Sequence, residues 1–166
     1  MTAFSKMRRK RQQLPQEKAI HILCHTTSGI LSVVDTNGYP YGVPLSHVYA
    51  DGKIYFHSAV SGHKIDAIHN GEKASFTVID QDEVHPETFT THFRSVICYG
   101  RVRIVKNETD KLSAIRLLGK RNNPDEAALQ HEIDKDFCHV AIIELIIEHI
   151  TGKEAIELVR ERQAGE

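Results

Sequence analysis

The sequence predicts a mostly β, α+β fold in which about six antiparallel strands close into a barrel flanked by short helices. β-rich segments recur along the chain, and the dipeptides Asn37-Gly38 and Asp51-Gly52 between them are strong hairpin signals. The helical patterns that separate the other strands are short. Because strands joined by hairpins pair antiparallel, this organisation favours a closed barrel over a parallel α/β sheet.

In the first half of the chain, the pattern predicts one helix and three strands. Residues 15–26 carry a proline at the first turn and apolar residues at helical spacing, which is typical of a short amphipathic helix. Residues 30–34 are β-rich, and the Asn37-Gly38 pair after them favours a type I′ turn. The return strand is predicted over 41–49, where two prolines limit it to a sheet edge or a bulge. Residues 53–58 form the strand after the second hairpin.

The second half of the chain continues with strands and short helices. Helices are predicted from apolar residues at helical spacing, strands from β-rich runs, and loops from polar runs. The longest strand is expected to bend at Gly100. In order, the predicted elements are a helix over 62–70, a strand over 74–80, a polar loop over 81–88, a strand over 89–105, helices over 108–119 and 124–135, a strand over 140–147 and a polar helix over 152–164.

Length and composition favour one domain in the cytoplasm. A chain of 166 residues suits a single core, and we expect a basic arm over 1–14, one domain over 15–158 and a polar tail over 159–166. No apolar run reaches the roughly 18 residues that span a bilayer, and the N-terminus lacks the apolar segment of a secretory signal. Three widely spaced cysteines are typical of reduced thiols rather than of a disulfide framework.

The charges of the chain indicate its class of partner. The net charge is −1, so we expect no nucleic-acid partner for the chain as a whole. Five of the six residues over 6–11 are nevertheless basic. They form either an arm that binds nucleic acid or an anionic surface, or a solvated arm that lies on a partner subunit. The mildly acidic remainder of the chain favours the second interpretation.

One turn between a predicted strand and a predicted helix carries an unusual charge pattern. Ser61 is expected to be the helix N-cap, which places Gly62, His63 and Lys64 in the first turn. Cations are unfavourable at this positive end of the helix dipole, but a bound anion would reverse the effect. The Lys64 amine and the hydroxyl of Ser58 or Ser61 would then converge on a phosphate, and Gly62 would let it approach the backbone. A solvent-exposed turn without a ligand explains the same pattern equally well.

Four stretches of the sequence occur in an order that narrows this choice. They are GYPYGVPL (38–45), IYFHSAVSGHK (54–64), FRSVICYG (93–100) and ITGKEA (150–155). Together they resemble the pyridoxamine 5′-phosphate oxidase-like FMN-binding split barrels, and most of all their nitroimidazole-resistance branch. The resemblance covers roughly residues 7–158. It implies a six-stranded antiparallel split β-barrel with FMN as its cofactor.

The resemblance also implies which residues hold the phosphate. Ser58 and Lys64 would bind the FMN phosphate, and Gly62 with His63 would form the turn around it. The oxidases of the family carry an arginine where this chain has His63, and a neutral histidine binds phosphate less tightly.

Further site residues implied by the resemblance lie along the flavin ring. Pro44, Leu45 and Ser46 would offer backbone groups to the ring, and Ser95 would approach the isoalloxazine edge. His57 corresponds to a histidine that faces the substrate side of the flavin in the nitroimidazole-resistance proteins, where it would act as the catalytic residue. From the residues alone, His57 is equally well a strand histidine held by a hydrogen bond.

The function implied by the resemblance is that of an FMN-dependent oxidoreductase. It would reduce small organic acceptors such as nitroimidazoles or other nitro-aromatics, as a homodimer with FMN at the subunit interface. The alternative is a non-catalytic module of the same fold that binds or carries flavin or haem. Oxidation of vitamin B6 is not expected, because the C-terminal tail lacks the arginine and histidine with which the oxidases grip pyridoxal phosphate.

The histidines and cysteines do not form a recognisable metal or nucleophile motif. His21 and His25 have the i, i+4 spacing of a two-ligand metal face, but no third ligand lies nearby in the sequence, so no metal site is expected. The cysteines are predicted to be core residues rather than nucleophiles; they are Cys24, Cys98 and Cys138.

Overall fold

The computed structural model describes residues 4–165 and contains one antiparallel sheet of eight strands with five helices. Two strands are additional to the six predicted, and both are only two or three residues long. The elements are β1 (Gln13–Leu14), α1 (Gln16–His25), β2 (Ser28–Val34), β3 (Pro40–Ser46), β4 (Val48–Ala50), β5 (Lys53–Ala59), α2 (His63–Asn70), β6 (Lys73–His85), β7 (Thr90–Ile104), α3 (Glu108–Asn122), α4 (Glu126–Asp136), β8 (Val140–Glu154) and α5 (Ile156–Ala164).

The sheet curls into a barrel that is open along one side. Its strand order is β3-β2-β6-β7-β8-β5-β4, so β3 forms one edge, and β1 pairs with β8. At the other edge, β4 covers only residues 53–55 of β5, and residues 56–59 pair with β8 alone. The core fills the interior, where Leu31, Phe56 and Phe76 are fully buried. The free edge of β3 and the uncovered end of β5 therefore border the split of the barrel.

Helices α3 and α4 form a second layer on the outside of the barrel. A small apolar cluster of Ala114, Leu118 and Ile142 joins α3 to the outer face of the sheet. α4 packs on α3 at Gly119, where a Cβ atom would collide with the side chain of Leu129. This close approach fixes the helix pair beside β5 and β8 and leaves a groove next to them.

The two predicted hairpins are present, but only one has the expected turn. Asp51 (φ 48°) and Gly52 (φ 78°) both lie in the left-handed region that a type I′ turn requires. At the first hairpin only Gly38 has a positive φ, so the prediction of a type I′ turn at Asn37-Gly38 is wrong. The chain instead makes a longer loop, closed by the Asp35 N–H donating to the Tyr39 carbonyl at 2.9 Å.

Three predicted boundaries are wrong, each because a strand is longer or shorter than its apolar run. The predicted loop over 81–88 is mostly strand, since β6 continues to His85 and its polar residues pair with β7. The predicted strand over 41–49 breaks at His47, whose buried ring donates through Nε2 to the Leu23 carbonyl at 3.0 Å. β8 extends to Glu154, so residues 152–154 are strand and the final helix begins at Ile156.

The predicted bend at Gly100 is confirmed. The pairing of β7 with β8 shifts register between Tyr99 and Gly100, and a side chain at Gly100 would collide with the Ile146 carbonyl. The cysteine prediction holds only for Cys98, whose burial raises the pKa of its thiol to about 12. The prediction is wrong for Cys24, on α1, and for Cys138, between α4 and β8, because both are exposed.

Residues 1–3 of the predicted arm and Glu166 of the predicted tail lie outside the described residues. Within residues 4–165, Gln13 and Leu14 pair with Lys153 and Gly152 of β8. None of the helices in this part of the chain is long and apolar enough to cross a membrane.

Candidate functional site

The turn between β5 and α2 forms one end of the split. α2 begins at His63 with Gly62 as its N-cap, so the prediction of Ser61 as N-cap is wrong. Gly62 has φ 125° and ψ 173°, a conformation that L-residues rarely adopt. Its carbonyl accepts hydrogen bonds from the N–H groups of Ile65 (2.9 Å) and Asp66 (3.1 Å). No side chain of the described residues caps the helix, which leaves its first N–H groups open to a ligand.

The donors around this turn converge on one place. The Lys64 ammonium donates to the Ser58 hydroxyl oxygen at 3.3 Å, and Ser58 is only 6% exposed. The Ser58 hydroxyl proton and two protons of Lys64 remain for other acceptors. A Cβ atom at Gly62 would meet nothing within 4 Å, so the space above the helix terminus is open. Serine, lysine and free backbone N–H groups together fit a phosphate.

Ser58, Gly62 and Lys64 form a cradle for a phosphate, and His63 lies at its rim. Two neighbours that the sequence did not reveal hold His63 there. Its ring stacks on Tyr41 of β3, with the centroids 4.2 Å apart. Its Nε2 atom lies 3.6 Å from Oδ2 of the buried Asp35, in the loop between β2 and β3. Hydrogen bonds from the backbone N–H groups of Tyr39 and Asn37, together with His63, lower the pKa of Asp35. Asp35 is therefore a carboxylate at neutral pH.

The free edge of β3 runs from this cradle along the split. The His47 N–H donates to the Thr27 carbonyl next to β2, so odd-numbered residues of β3 turn their backbone groups towards β2. Pro44 and Ser46 accordingly direct theirs into the split. Leu45 directs its backbone groups towards β2 and packs its side chain against the core. Of the three residues predicted along the flavin ring, two offer backbone groups and one supports the strand.

Ser95 does not lie next to the cradle of its own chain. It is on β7, paired with Ile79 of β6 and Lys153 of β8. β2 and β6 separate it from β3, which amounts to about 14 Å at the usual strand spacing. The strand registers nevertheless place Ser95 on the same outer face of the sheet as Pro44 and Ser46. Ser95 can therefore serve the same ligand only across that face.

His57 and Ser58 point to opposite faces of β5, as successive strand residues do. Ser58 is buried beside Lys64, whereas His57 is exposed at a groove of about 430 Å³ between β5 and the α3–α4 pair. The groove is mainly apolar, and Asn122, Glu132 and Asp136 are its polar lining residues besides His57. The structure thus brings Ser58, Gly62, His63 and Lys64 together and leaves His57 on the outer side of the same strand.

Of the histidine pair on α1, His25 contacts a network of charged side chains, and His21 contributes its backbone carbonyl. His25 approaches the His21 carbonyl through Nδ1 (2.7 Å) and Asp80 Oδ1 through Nε2 (2.8 Å). Arg94 links Asp80 to the buried Glu154, which also binds Arg162. Within the described residues, no group of three or more histidine, cysteine, aspartate or glutamate side chains has metal-binding geometry.

Sequence reasoning missed Asp35 and Tyr41 as parts of the site. Asp35 precedes a turn of Asn and Gly, a position where an aspartate commonly accepts bonds from backbone N–H groups further along. That signal predicts the contacts with Asn37 and Tyr39, which are 2.9 and 2.8 Å long. It does not predict a contact with His63, because the strand pairing that brings the loop to α2 is not encoded locally.

Comparison with known proteins places this geometry in a known fold. The sequence profile of one family, described as pyridoxamine 5′-phosphate oxidase, matches residues 15–154. A candidate 5-nitroimidazole antibiotic resistance protein from Bacteroides thetaiotaomicron has a similar structure, with 19% identity over 86% of each chain and a TM-score of 0.70. No curated protein is a significant match to the sequence.

Two further solved structures resemble the chain. The flavocytochrome Anf3 from Azotobacter vinelandii has a TM-score of 0.76 and 20% identity, over 93% of this chain and 74% of that chain. The FAD- and haem-binding protein from Mycobacterium smegmatis has a TM-score of 0.73 and 17% identity, over 87% of this chain and 73% of that chain. These similarities confirm the predicted split-barrel fold.

Proposed function

The chain belongs to the pyridoxamine 5′-phosphate oxidase family, and from this premise we propose that it is an FMN-binding flavoprotein. We propose further that it reduces small organic acceptors such as nitroimidazoles or other nitro-aromatics. The observation that carries the proposal is the phosphate cradle of Ser58, Gly62 and Lys64 at the end of the split. An uncapped helix terminus, a buried hydroxyl and an ammonium group form a site for a terminal phosphate.

In this proposal, different residues of the split bind different parts of the cofactor. Lys64 and Ser58 bind the phosphate, and the backbone N–H groups at the start of α2 bind its remaining oxygens. The outward backbone groups of Pro44 and Ser46 bind the polar edge of the ring, which lies along the free edge of β3. Tyr41, stacked on His63, closes the space between these two parts of the site.

Bound FMN supplies the redox chemistry, by accepting electrons from a reductant and passing them to the acceptor. The chain supplies the position of the acceptor. His57 stands at the mouth of the apolar groove beside α3 and α4, where it can donate a proton or a hydrogen bond to a nitro group. The groove walls of Leu118, Leu129 and Ile133 suit a small aromatic molecule.

We also propose that the protein is a homodimer with FMN at the subunit interface. The outer face of the sheet carries small and apolar residues from Pro44 on β3 to Ser95 on β7. Two of its side chains, Ile30 (41% exposed) and Ile79 (66% exposed), are large and apolar but open to solvent. A second copy packed on this face would cover them and bring its own Ser95 towards the first copy's β3 edge.

A second candidate function is that of a non-catalytic flavin or haem carrier. The observation that favours it is the structural similarity to a flavocytochrome and to a protein described as binding both FAD and haem. A haem carrier would use an exposed histidine as its axial ligand, for which His57 in its apolar groove is the candidate of this chain.

The test begins with the absorption spectrum of the purified protein and of the protein after separate incubation with FMN and with haem. We expect a bound-flavin spectrum and an FMN affinity that Lys64→Ala lowers, whereas Lys73→Ala, an exposed lysine at the start of β6, serves as the matched control. A protein that binds neither cofactor contradicts both candidates. A Soret band without flavin favours the carrier.

Turnover separates the enzyme from the carrier once FMN is bound. We expect the FMN-loaded protein to reduce a nitroimidazole in the presence of a chemical reductant, and His57→Ala to lower this rate without loss of FMN. An unchanged rate in His57→Ala would show that His57 does not orient the acceptor. Absence of turnover with FMN bound would leave the carrier as the function.

A further inference from the structure

The basic arm at the N-terminus does not lie flat on the sheet. A cavity of about 420 Å³ separates residues 4–10 of the arm from residues 148–151 of β8. We propose that this cavity is a binding site for a small aromatic carboxylate. The inference goes beyond the proposed function, because the cavity is separate from the phosphate cradle. Ser58 pairs with Ala141 of β8, and His149 lies about 26 Å further along the same strand at the usual rise per residue.

Both ends of the arm are fixed to the body of the protein. At one end, the ring of Phe4 stacks on His149, with the centroids 4.7 Å apart and an angle of 9° between the planes. Phe4 also packs against Tyr99, with the centroids 5.6 Å apart. At the other end, Gln12 is 5% exposed, and the two residues after it pair with β8. The residues between these anchors therefore form the outer wall of the cavity.

Two lysines of the arm line the cavity and carry charges that are not compensated. No ion pair or side-chain hydrogen bond within residues 4–165 includes Lys6 or Lys10. Their long, flexible side chains let both ammonium groups reach an anion in the cavity. Glu148 is the carboxylate of the lining, and it accepts a hydrogen bond from Arg101 Nε at 2.7 Å. Since Arg101 also binds Glu72, three cations face two carboxylates, and the cavity keeps an excess of positive charge.

The apolar walls of the cavity suit an aromatic molecule. Phe4 contributes a ring and Met7 a thioether, and both side chains are partly buried. Aromatic rings pack favourably on phenylalanine in offset or edge-to-face geometry, and methionine sulfur makes favourable contacts with ring edges. The volume is near the lower end of the range for ligand pockets, which suits a molecule with a single ring.

One buried nitrogen at the cavity lacks a hydrogen-bond partner. Nε2 of His149 is buried and forms no hydrogen bond within the described part of the chain. Buried polar groups are normally paired, because an unpaired one is destabilising. In the tautomer with a proton on Nε2, this nitrogen can donate to a ligand carboxylate after a rotation of the Phe4 ring. The positive charge, the aromatic wall and the unpaired donor thus point to the same class of ligand.

The methionines of the chain allow a direct test of this site. There are two, Met1 and Met7, so methionine labelled with ¹³C in its methyl group gives a signal at the cavity that Met7→Leu identifies. The full chain is titrated at low ionic strength with benzoate and, separately, with benzamide, which has the same shape without the charge. We expect benzoate to shift the Met7 signal saturably and to bind about tenfold more tightly than benzamide.

Two double variants separate the cavity from the rest of the arm. Lys6→Gln with Lys10→Gln removes the two charges that line the cavity, and Arg8→Gln with Arg11→Gln removes two charges that do not. All four side chains are exposed, so both variants should fold. We expect the lysine variant to bind benzoate about tenfold more weakly, the scale of two exposed ion pairs, and the arginine variant to lose less than about twofold.

Three results would each overturn the inference. They are the absence of a saturable shift of the Met7 signal, equal affinities for benzoate and benzamide, and equal effects of the two double variants. The last result would assign the attraction to the charge of the whole arm and not to the cavity. None of these measurements depends on FMN or on Lys64, so the inference and the proposed function can fail separately.

Discussion

The two ends of the barrel each carry a histidine beside a carboxylate, yet only one of them has groups left for a ligand. At one end, His25 and Asp80 are 2.8 Å apart and continue through Arg94 to Glu154 and Arg162. Each charge in that network faces an opposite charge. At the α2 end, Asp35 is the carboxylate in contact with His63, and Lys64 binds an uncharged hydroxyl.

The difference shows that a cluster of charged residues does not by itself define a binding site. The network around Glu154 is closed, because its carboxylate oxygens and guanidinium groups already satisfy one another. The cradle around Lys64 is open, because two protons of its ammonium, the Ser58 hydroxyl proton and the first N–H groups of α2 have no acceptor within the described residues. An anion stabilises the second arrangement and would compete with existing bonds in the first.

The largest expected effect concerns the stability of the closed end. Glu154 is 1% exposed and accepts bonds from Arg162 Nε (3.0 Å) and Arg94 Nε (3.4 Å). Glu154→Ala leaves two guanidinium groups without their shared partner, so we expect the free energy of unfolding to fall by about 3–5 kcal/mol in urea titrations. Glu161→Ala, on the exposed side of the same helix as Arg162, should change it by less than about 0.5 kcal/mol. Equal effects of the two substitutions would show that the network is not structural.

The second effect concerns a histidine without a carboxylate. Burial lowers the pKa of His47 to about 4, against an ordinary value near 6.5 in the unfolded chain. The unfolded chain therefore takes up a proton between these values and the folded one does not. We expect the folded state to lose about 3 kcal/mol of stability as the pH falls from 6.5 to 4, measured by urea unfolding at each pH.

His47→Gln provides the control for this pH dependence, because glutamine can still donate to the Leu23 carbonyl but does not titrate. The variant should lose markedly less stability over the same pH range. A parallel loss in both proteins would show that the titration of His47 is not its cause.

The third effect is on binding and leaves stability unchanged. Lys64→Ala removes the ammonium of the open end without disturbing an ion pair, so we expect FMN affinity to fall by about 10- to 100-fold, on the scale of a charged hydrogen bond. The free energy of unfolding should stay within about 0.5 kcal/mol of the wild-type value. A large loss of stability in Lys64→Ala would mean that Lys64 stabilises the fold, as the network around Glu154 is expected to do at the other end.

The smallest effect tests the backbone of the open end. Gly62 has φ 125°, whereas Gly71 at the other end of α2 has φ −162°, and a Cβ atom at either glycine would meet nothing within 4 Å. We expect Gly62→Ala to destabilise the protein by about 1 kcal/mol through backbone strain, while Gly71→Ala is neutral or slightly stabilising. Thermal unfolding of both variants measures the difference, and equal melting temperatures would show that an L-residue fits position 62 without strain.

How far the sequence predicts this molecule depends on how local each signal is. The Asp51-Gly52 hairpin and the bend at Gly100 follow from single residues, and the structure has both. The polar strand over residues 81–85 was predicted as a loop, because its backbone bonds come from β7 and not from its own side chains. The pairing of Asp35 with His63 depends on the register of the sheet and is invisible in either segment alone.

In the candidate site, too, contacts between residues close in the sequence could be predicted and contacts between distant segments could not. The strand–turn–helix pattern predicted that Lys64 would meet the hydroxyl of Ser58 or Ser61, the family resemblance selected Ser58, and the structure has Lys64 bonded to Ser58. It also placed His57 next to Ser58 in sequence, but the alternation of a strand directs the two side chains to opposite faces. The positions of His57 and Ser95 relative to the cradle could not be predicted from the sequence. They depend on the order of the strands in the sheet and on the α3–α4 pair that packs on its outer face.

The edge of β3 also bears on the solubility of the protein. An unpaired strand edge is a template for the addition of strands from other molecules and hence for aggregation. Pro40 and Pro44 both have their nitrogen on the open side of β3 and provide no N–H group there. Of the four positions that face outward, only Gly42 and Ser46 can donate a hydrogen bond. The edge of β3 therefore offers few hydrogen-bond donors to a strand of another molecule and resists the strand addition that forms cross-β fibrils.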